Sequence, residues 1–233
     1  MTIQGLLFDC DGVLVDSEVV GLEETVRYLE DHGFRWTAED IVTRFTGMRT
    51  DAFAKELRQG YGEVLGLPPS DEDFSKLLEG MIATRRSQRH LMTTVAGAEE
   101  TLRQLSAIPS LKLAVASSSS IGVLASKIDR FGLAPYFGDH VYSADHVAHG
   151  KPAPDIFLYA AEKIGLAPEN CLVIEDSAHG VTAGVQAGCT VWGFTGGGHC
   201  LVGHEDRLRD AGATQIIATH AQLYDQLLKE ISI

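Results

Sequence analysis

Apolar residues fall into two regimes along the chain, and the change between them divides it. From residue 18 to about 89 they recur only at helical spacing. Val19, Leu22, Val26 and Leu29 follow one another at helical intervals, and Gly33 is placed to end that run. Thr37 precedes an acidic first turn, Glu39 and Asp40, with Ile41, Val42 and Phe45 behind it, which suits a helix N-terminus. A short third helix starts near Thr50 and bears Phe53 and Leu57. Ser70 caps a fourth, on which Phe74, Leu77, Leu78, Met81 and Ile82 share a face. With short Gly- or Pro-containing joints, these amphipathic helices predict a four-helix bundle.

Beyond Val95 strand-like and helical runs alternate. Strands are predicted over residues 111–116, 140–143, 171–174, 190–194 and 215–218. Helices fall between them, over residues 98–107, 121–131, 155–164, 178–187 and 204–211, with a last one over 221–231. This alternation predicts an α/β fold with a parallel sheet. Ile3, Leu6 and Leu7 form one more buried strand of that sheet. The helical block is therefore an insertion directly after the first strand. Residues 1–16 and 91–233 make the core, and residues 17–90 a unit whose two ends lie close together, well placed to act as a lid.

Chemistry gathers where the strands end, the edge at which parallel α/β sheets bind ligands. Residues 8–17, FDCDGVLVDS, bring Asp9 and Asp11 out after the first strand. Two carboxylates beside an apolar sheet repel and lose hydration, so a cation must compensate or one must take up a proton. Gly12 lets the backbone turn sharply there. Ser117 heads a run of four serines, with Ser118 next in it, before a helix, so a hydroxyl and helix N-terminal amides can face an anion. Gly150-Lys151-Pro152 sets one lysine in a rigid turn, and Glu175 and Asp176 follow an apolar run. Each has a plainer reading: solvated aspartates, a helix-capping serine, a surface lysine, an acidic pair held by an arginine. Acidic pair, hydroxyl, lysine and acidic pair on successive strands together favour phosphoryl transfer. An aspartate can attack phosphorus, a second carboxyl can move the proton, and oxygen ligands suit Mg²⁺.

Charge narrows the partners. The 233 residues contain 19 Lys and Arg against 32 Asp and Glu, a net charge of −13, which speaks against a nucleic-acid surface or an anionic membrane. No apolar run reaches the roughly 18–20 residues that span a bilayer, and no basic, apolar signal segment opens the chain, so a cytoplasmic location is expected. The four cysteines, Cys10, Cys171, Cys189 and Cys200, lack CxxC spacing and read as reduced thiols rather than disulfides or zinc ligands. Acidic neighbours raise the Cys10 thiol pKa, which argues against a nucleophile there.

The motif DCDGVLVDS, the serine after the second strand, the Lys-Pro turn and the IEDS segment, with a helical insertion after the first, resemble the haloacid dehalogenase-like hydrolases. The resemblance covers nearly the whole chain and is strongest to the β-phosphoglucomutase-like sugar phosphatases with a four-helix cap. It implies a Rossmann-like sheet with the first strand central. It implies Asp9 as nucleophile and Mg²⁺ ligand, and Asp11 as general acid/base that also lends the metal its backbone carbonyl. Ser117 and Lys151 would hold the phosphoryl group, Asp176 the metal directly and Glu175 through water. The aspartate at position 11 argues against dehalogenation. Gly21 stands where mutases have a histidine, and Ser120 where they have a lysine, which favours a phosphatase. Phosphonatases need a cap lysine close after the first motif, and Lys55 and Lys76 are not close. Residues 45–51, FTGMRTD, resemble the substrate-specificity loop: Gly47 would turn over the site, and Arg49 would meet an anionic or hydroxyl-rich part of the substrate, with Ser118 beside them. The loop 196–199 can reach the site, with His199 read as structural. The expectation is a monomeric Mg²⁺-dependent phosphatase acting on a small phosphorylated metabolite, a sugar phosphate, through an aspartyl phosphate. The alternatives are a phosphosugar mutase and a non-catalytic phosphate-binding module.

Overall fold

In a computed structural model of the chain, residues 3–231 are described. The outermost positions of the expected core, 1–2 and 232–233, lie outside them. The first strand, β1 (Gly5–Phe8), is buried along its whole length. Four residues with no exposed face suit only the middle of a sheet covered on both sides. The chain then forms a two-residue strand, β2 (Val15–Asp16), and four helices: α1 (Leu22–Asp31), α2 (Ala38–Phe45), α3 (Thr50–Leu65) and α4 (Asp71–Ser87). It returns through β3 (Thr93–Thr94), which pairs antiparallel with β2, Val15 opposite Thr94. Both crossings of the chain are thereby tied together in one short ribbon.

The remainder alternates: α5 (Ala98–Ser106), β4 (Lys112–Ser117), α6 (Ile121–Arg130), α7 (Ala134–Phe137), β5 (Val141–Ser143), α8 (Asp155–Lys163), β6 (Cys171–Glu175), α9 (Ala178–Gln186), β7 (Thr190–Phe194), α10 (His204–Asp210), β8 (Gln215–Ile217) and α11 (His220–Glu230). The six main strands are all parallel, in the order β5-β4-β1-β6-β7-β8. This is a Rossmann-like α/β fold with β1 inside it. Leu6, Phe8, Val115 and Ile174 on one face pack with Leu102, Leu124 and Leu223 of α5, α6 and α11. On the other face Leu7, Ala114 and Val173 pack with Phe157, Val181 and Leu208 of α8, α9 and α10. The inserted helices have a core of their own around Leu29, Phe45, Leu57, Phe74, Leu77 and Met81. No helix among the described residues is long and apolar enough to cross a membrane.

Three local features differ from the sequence pattern. Helix α1 starts at Leu22 rather than Val19, because Gly21 in front of it is left-handed, φ 69°. Helix α3 is 16 residues long, not short, and runs through Gly60 and Gly62. A Cβ at Gly60 would lie 2.4 Å from the Trp36 ring, so the glycine lets that ring pack on the helix, and tertiary contact overrides weak propensity. Finally, β2 and β3 are too short for a periodic signal.

Candidate active site

Parallel pairing places Phe8 opposite both Val115 and Ile174. The residues after them therefore emerge level: Asp9 from β1, Ala116 from β4, Glu175 from β6. Register alone thus brings Asp9 beside the acidic pair. Lys151 completes the cluster from the turn before α8. Its Nζ lies 2.5 Å from Asp9 Oδ1 and 2.5 Å from Glu175 Oε1, and donates to the Ala116 carbonyl at 3.0 Å. Lysine and carboxylates are all nearly inaccessible, Lys151 at 3%, Asp9 at 5% and Glu175 at 0% exposure. Glu175 also accepts from the hydroxyl and amide of Ser177. A Cβ at Gly180 would lie 1.9 Å from its carboxyl, so the first turn of α9 has room for this glutamate only as glycine.

Asp11 is positioned differently. Its carboxylate accepts from Ser119 Oγ at 2.9 Å and from Lys127 Nζ and Ser17 Oγ. Burial on its own would raise this carboxyl. The Lys127 ammonium and the three hydrogen bonds outweigh burial and hold it down to about 2. Asp9 goes the other way: burial, reinforced by Glu175 and Asp11, outweighs Lys151 and pushes it up to about 8. Burial likewise raises Asp176, to about 6, against the pull of His199. The Lys151 ammonium is favoured despite burial, because Asp9 and Glu175 flank it. Burial and then Asp11 push the Cys10 thiol far up, which keeps it un-ionised.

The other expected residues are placed as follows. Ser117, fully buried, accepts from the Ser119 amide at 3.1 Å. The first amide of α6, on Ile121, is taken by Asp145 at 2.8 Å rather than left for an anion. Ser118 donates to the Gly47 carbonyl at 2.8 Å, so the loop of the inserted helices sits directly on the strand ends. Gly47 is left-handed, φ 79°, and a Cβ there would lie 2.2 Å from Ser177 Oγ. Arg49 is not among the residues lining the cavity described below: Asp51 binds its guanidinium at 2.7 and 2.6 Å and its Nη1 donates to Ala148 O at 3.2 Å. His199 lies with Nε2 3.0 Å from Asp176 Oδ2. Lys127 was not singled out by the sequence reading, although it follows Ser120 and Val123 at helical spacing and all three line the cavity.

A cavity of about 450 Å³ opens from Asp9 and Asp11 toward the inserted helices. Phe45, Phe53, Met81 and Ile82 give it an apolar wall, and Arg85, Arg86 and Arg89 bring cations to its edge. Asp9 and Asp11 line it, and the carboxylates gathered around Asp9 fit a metal ion. Asp9, Glu175 and Asp176 are all buried, and Lys151 is the lysine among them. Asp176 Oδ2 has no hydrogen-bond partner, since His199 is near it but not aligned to donate. A Cβ at Gly12 would stand 1.7 Å from that oxygen, so the backbone leaves the space open. A hard cation there satisfies the unbonded oxygen and favours the ionised form of Asp9.

Fold and site define an enzyme of phosphate esters, and the comparisons agree. The model of the haloacid dehalogenase-like hydrolases matches residues 3–188, and the chain belongs to that family. It is 31% identical over 233 residues to a phosphorylated carbohydrates phosphatase of Thermotoga maritima, covering 98% of this chain and 100% of the relative. It is 30% identical over 188 residues to a fructose-1-phosphate phosphatase of Escherichia coli, covering 79% and 92%. A HAD family hydrolase from Deinococcus radiodurans, solved with bound phosphate and sodium, matches with TM-score 0.73 and 33% identity over 98% of this chain and 96% of that one. The protein is a phosphoric monoester hydrolase of the sugar-phosphatase branch. Members of the family generally use a divalent metal.

Proposed function

We propose that the chain is a Mg²⁺-dependent phosphatase that hydrolyses a small sugar phosphate through an aspartyl phosphate on Asp9. The observation that carries this reading is a buried Asp9, paired with Lys151, at the floor of a 450 Å³ cavity large enough for a small phosphate ester. Asp9 attacks phosphorus, forming the Asp9 O–P bond while the ester P–O bond breaks. Asp11 gives its proton to the leaving oxygen, then takes one from the water that attacks the phosphorus and frees phosphate. As held by Lys127, Asp11 is a carboxylate suited to the second step; its acid role requires it to leave that lysine. Lys151, Ser117 and Ser118 neutralise phosphoryl oxygens. Asp9, the Asp11 carbonyl, Asp176 and, through water, Glu175 would hold Mg²⁺, which supplies charge stabilisation to the phosphoryl group.

Residues 17–90 serve as a cap, with the β2–β3 ribbon as the hinge, and the cavity wall they contribute selects the leaving group. The net charge of −13 supports a partner that is neither nucleic acid nor anionic membrane. A phosphatase is favoured over a mutase because a left-handed Gly21, φ 69°, stands where mutases carry a histidine, and a Cβ there would be strained and tight, 3.2 Å from the Arg85 backbone. The test is phosphate release from a panel of phosphorylated sugars and sugar acids, with and without Mg²⁺, by wild type and Asp9→Asn. Wild type should release phosphate only with the metal, and Asp9→Asn should release none. Turnover by Asp9→Asn overturns the nucleophile, an isomeric sugar phosphate as product restores the mutase, and no turnover on any ester restores the binding module.

A further inference from the structure

After β7 the chain runs through three glycines into His199, Cys200 and, one short turn later, His204 at the start of α10. Their ligating atoms lie within 4.8 Å of one another. Nothing in the phosphoryl chemistry uses them. His199 and His204 are buried, at 1% and 5% exposure, while Cys200 is the one cysteine of the four that is not fully buried.

The bonding of the His204 ring is what a metal ligand needs. His204 Nε2 lies 2.5 Å from the Asp176 carbonyl. A carbonyl only accepts, so Nε2 holds the hydrogen and Nδ1 keeps its lone pair. A ligating histidine is oriented in this way by a carbonyl that accepts from its other ring nitrogen. His199 Nε2 sits 3.6 Å from Cys200 Sγ and 3.0 Å from Asp176 Oδ2, and its Nδ1 is buried without any partner. Imidazole nitrogen and thiol sulfur select against Mg²⁺ and for borderline-soft dications.

We propose that His199, Cys200 and His204 bind a thiophilic dication of the Zn²⁺ class, at a nitrogen and sulfur site that adjoins the oxygen ligands, His199 Nε2 lying 3.0 Å from Asp176 Oδ2. Three protein ligands leave a fourth position for water. On binding, the Cys200 proton leaves to solvent and the thiolate takes its place on the metal. Arg207, whose Nη2 is 3.1 Å from His204 Nδ1, swings aside; its side chain is 29% exposed and its ion pair with Glu39 is a loose 3.7 Å. The sequence reading set the four cysteines apart from zinc ligands for want of CxxC spacing, and the fold supplies the missing ligands for Cys200 from two histidines.

The test is optical titration of the metal-free full chain with Co²⁺, in excess Mg²⁺ to occupy the oxygen ligands. One equivalent of Co²⁺ should bind with a thiolate-to-cobalt band in the near ultraviolet and the intense visible bands of a tetrahedral site. One equivalent of Zn²⁺ should abolish both. Cys200→Ser, at a partly exposed position, should fold, lose the near-ultraviolet band and bind Co²⁺ at least about tenfold more weakly. His204→Gln should weaken binding similarly while a residual thiolate band remains. No thiolate band in wild type, or an unchanged band in Cys200→Ser, overturns the proposal. Because the readout is a spectrum rather than turnover, its failure is distinct from failure of the phosphatase reading.

Discussion

Gly12→Ala isolates how closely the first motif approaches the second acidic pair. Gly12 has φ +77°, a left-handed conformation that costs an alanine about 1–2 kcal/mol. Its new methyl would also stand 1.7 Å from Asp176 Oδ2 and 2.6 Å from His199 Cε1. Asp176 is 1% exposed and has nowhere to retreat, so overpacking adds about 1–3 kcal/mol. Gly132 is the matched control, with φ +63° and nothing within 4 Å of its Cβ, so Gly132→Ala meets the backbone term alone. At about 2–4 °C per kcal/mol for a chain of this size, Gly132→Ala should lower Tm by about 2–8 °C. Gly12→Ala should lower it further, and it alone should lose phosphate release, because the carboxylate it displaces belongs to the site. Thermal denaturation followed by circular dichroism, beside a phosphate-release assay, measures both. Equal Tm shifts in the two variants, with wild-type turnover in Gly12→Ala, would refute the reasoning.

Lys127→Met should raise the Asp11 carboxyl by about 1–3 pH units, since an opposite charge this close lowers a carboxyl by that much, and carboxyl NMR titration of Asp11 reads it directly. An unmoved Asp11 titration in the variant would show that Lys127 does not hold this carboxylate ionised, and Lys127→Arg should restore the low value. His220, fully buried, donates from Nε2 to the Val13 carbonyl at 2.8 Å and has no partner for Nδ1, and burial lowers its pKa to about 4. Its folded value is below its unfolded value of 6.5, so the unfolded chain binds the proton first, and stability present above pH 6.5 is lost as the pH falls toward 4. Over that interval the loss is about 3 kcal/mol. His220→Gln should therefore be the less stable protein at pH 7, with the gap narrowing by that amount at pH 4; parallel denaturation curves at the two pH values would contradict this.

The core was legible because a central parallel strand announces itself: Ile3, Leu6 and Leu7 have no polar alternation, and β1 proves buried on every residue. The four strand-end motifs followed from that, since parallel strands of one sheet finish on one edge. Residues decided by packing or by loop conformation were not legible. Gly60 reads as a helix breaker until Trp36 is packed against it. Arg49 reads as a free cation until its guanidinium is found on Asp51, a partner only two residues away that the loop conformation brings into place. Lys127 had a local signal, the helical spacing from Ser120, but its meaning depends on which strand end α6 faces, and only the sheet order supplies that.

Counting charges along the chain shows that Asp9, Asp11, Glu175 and Asp176 need compensation, but it does not assign the lysines. Strand order does. With β4 and β6 on either side of β1, Lys151 reaches across the Ala116 carbonyl to stand between Asp9 and Glu175, and Lys127 comes down from α6 onto Asp11. Asp176 is left with the misaligned His199 and an unbonded oxygen. The compensation is therefore uneven by construction: Asp11 is held ionised, while Asp9 and Asp176 are pushed up by burial. The need for a cation therefore falls on Asp9 and Asp176, and the missing side chain of Gly12 keeps the space beside Asp176 Oδ2 open. A cation that enters there meets ligands for its charge and a backbone that makes room for it, and Asp9 gains the ionised form that attack on phosphorus requires.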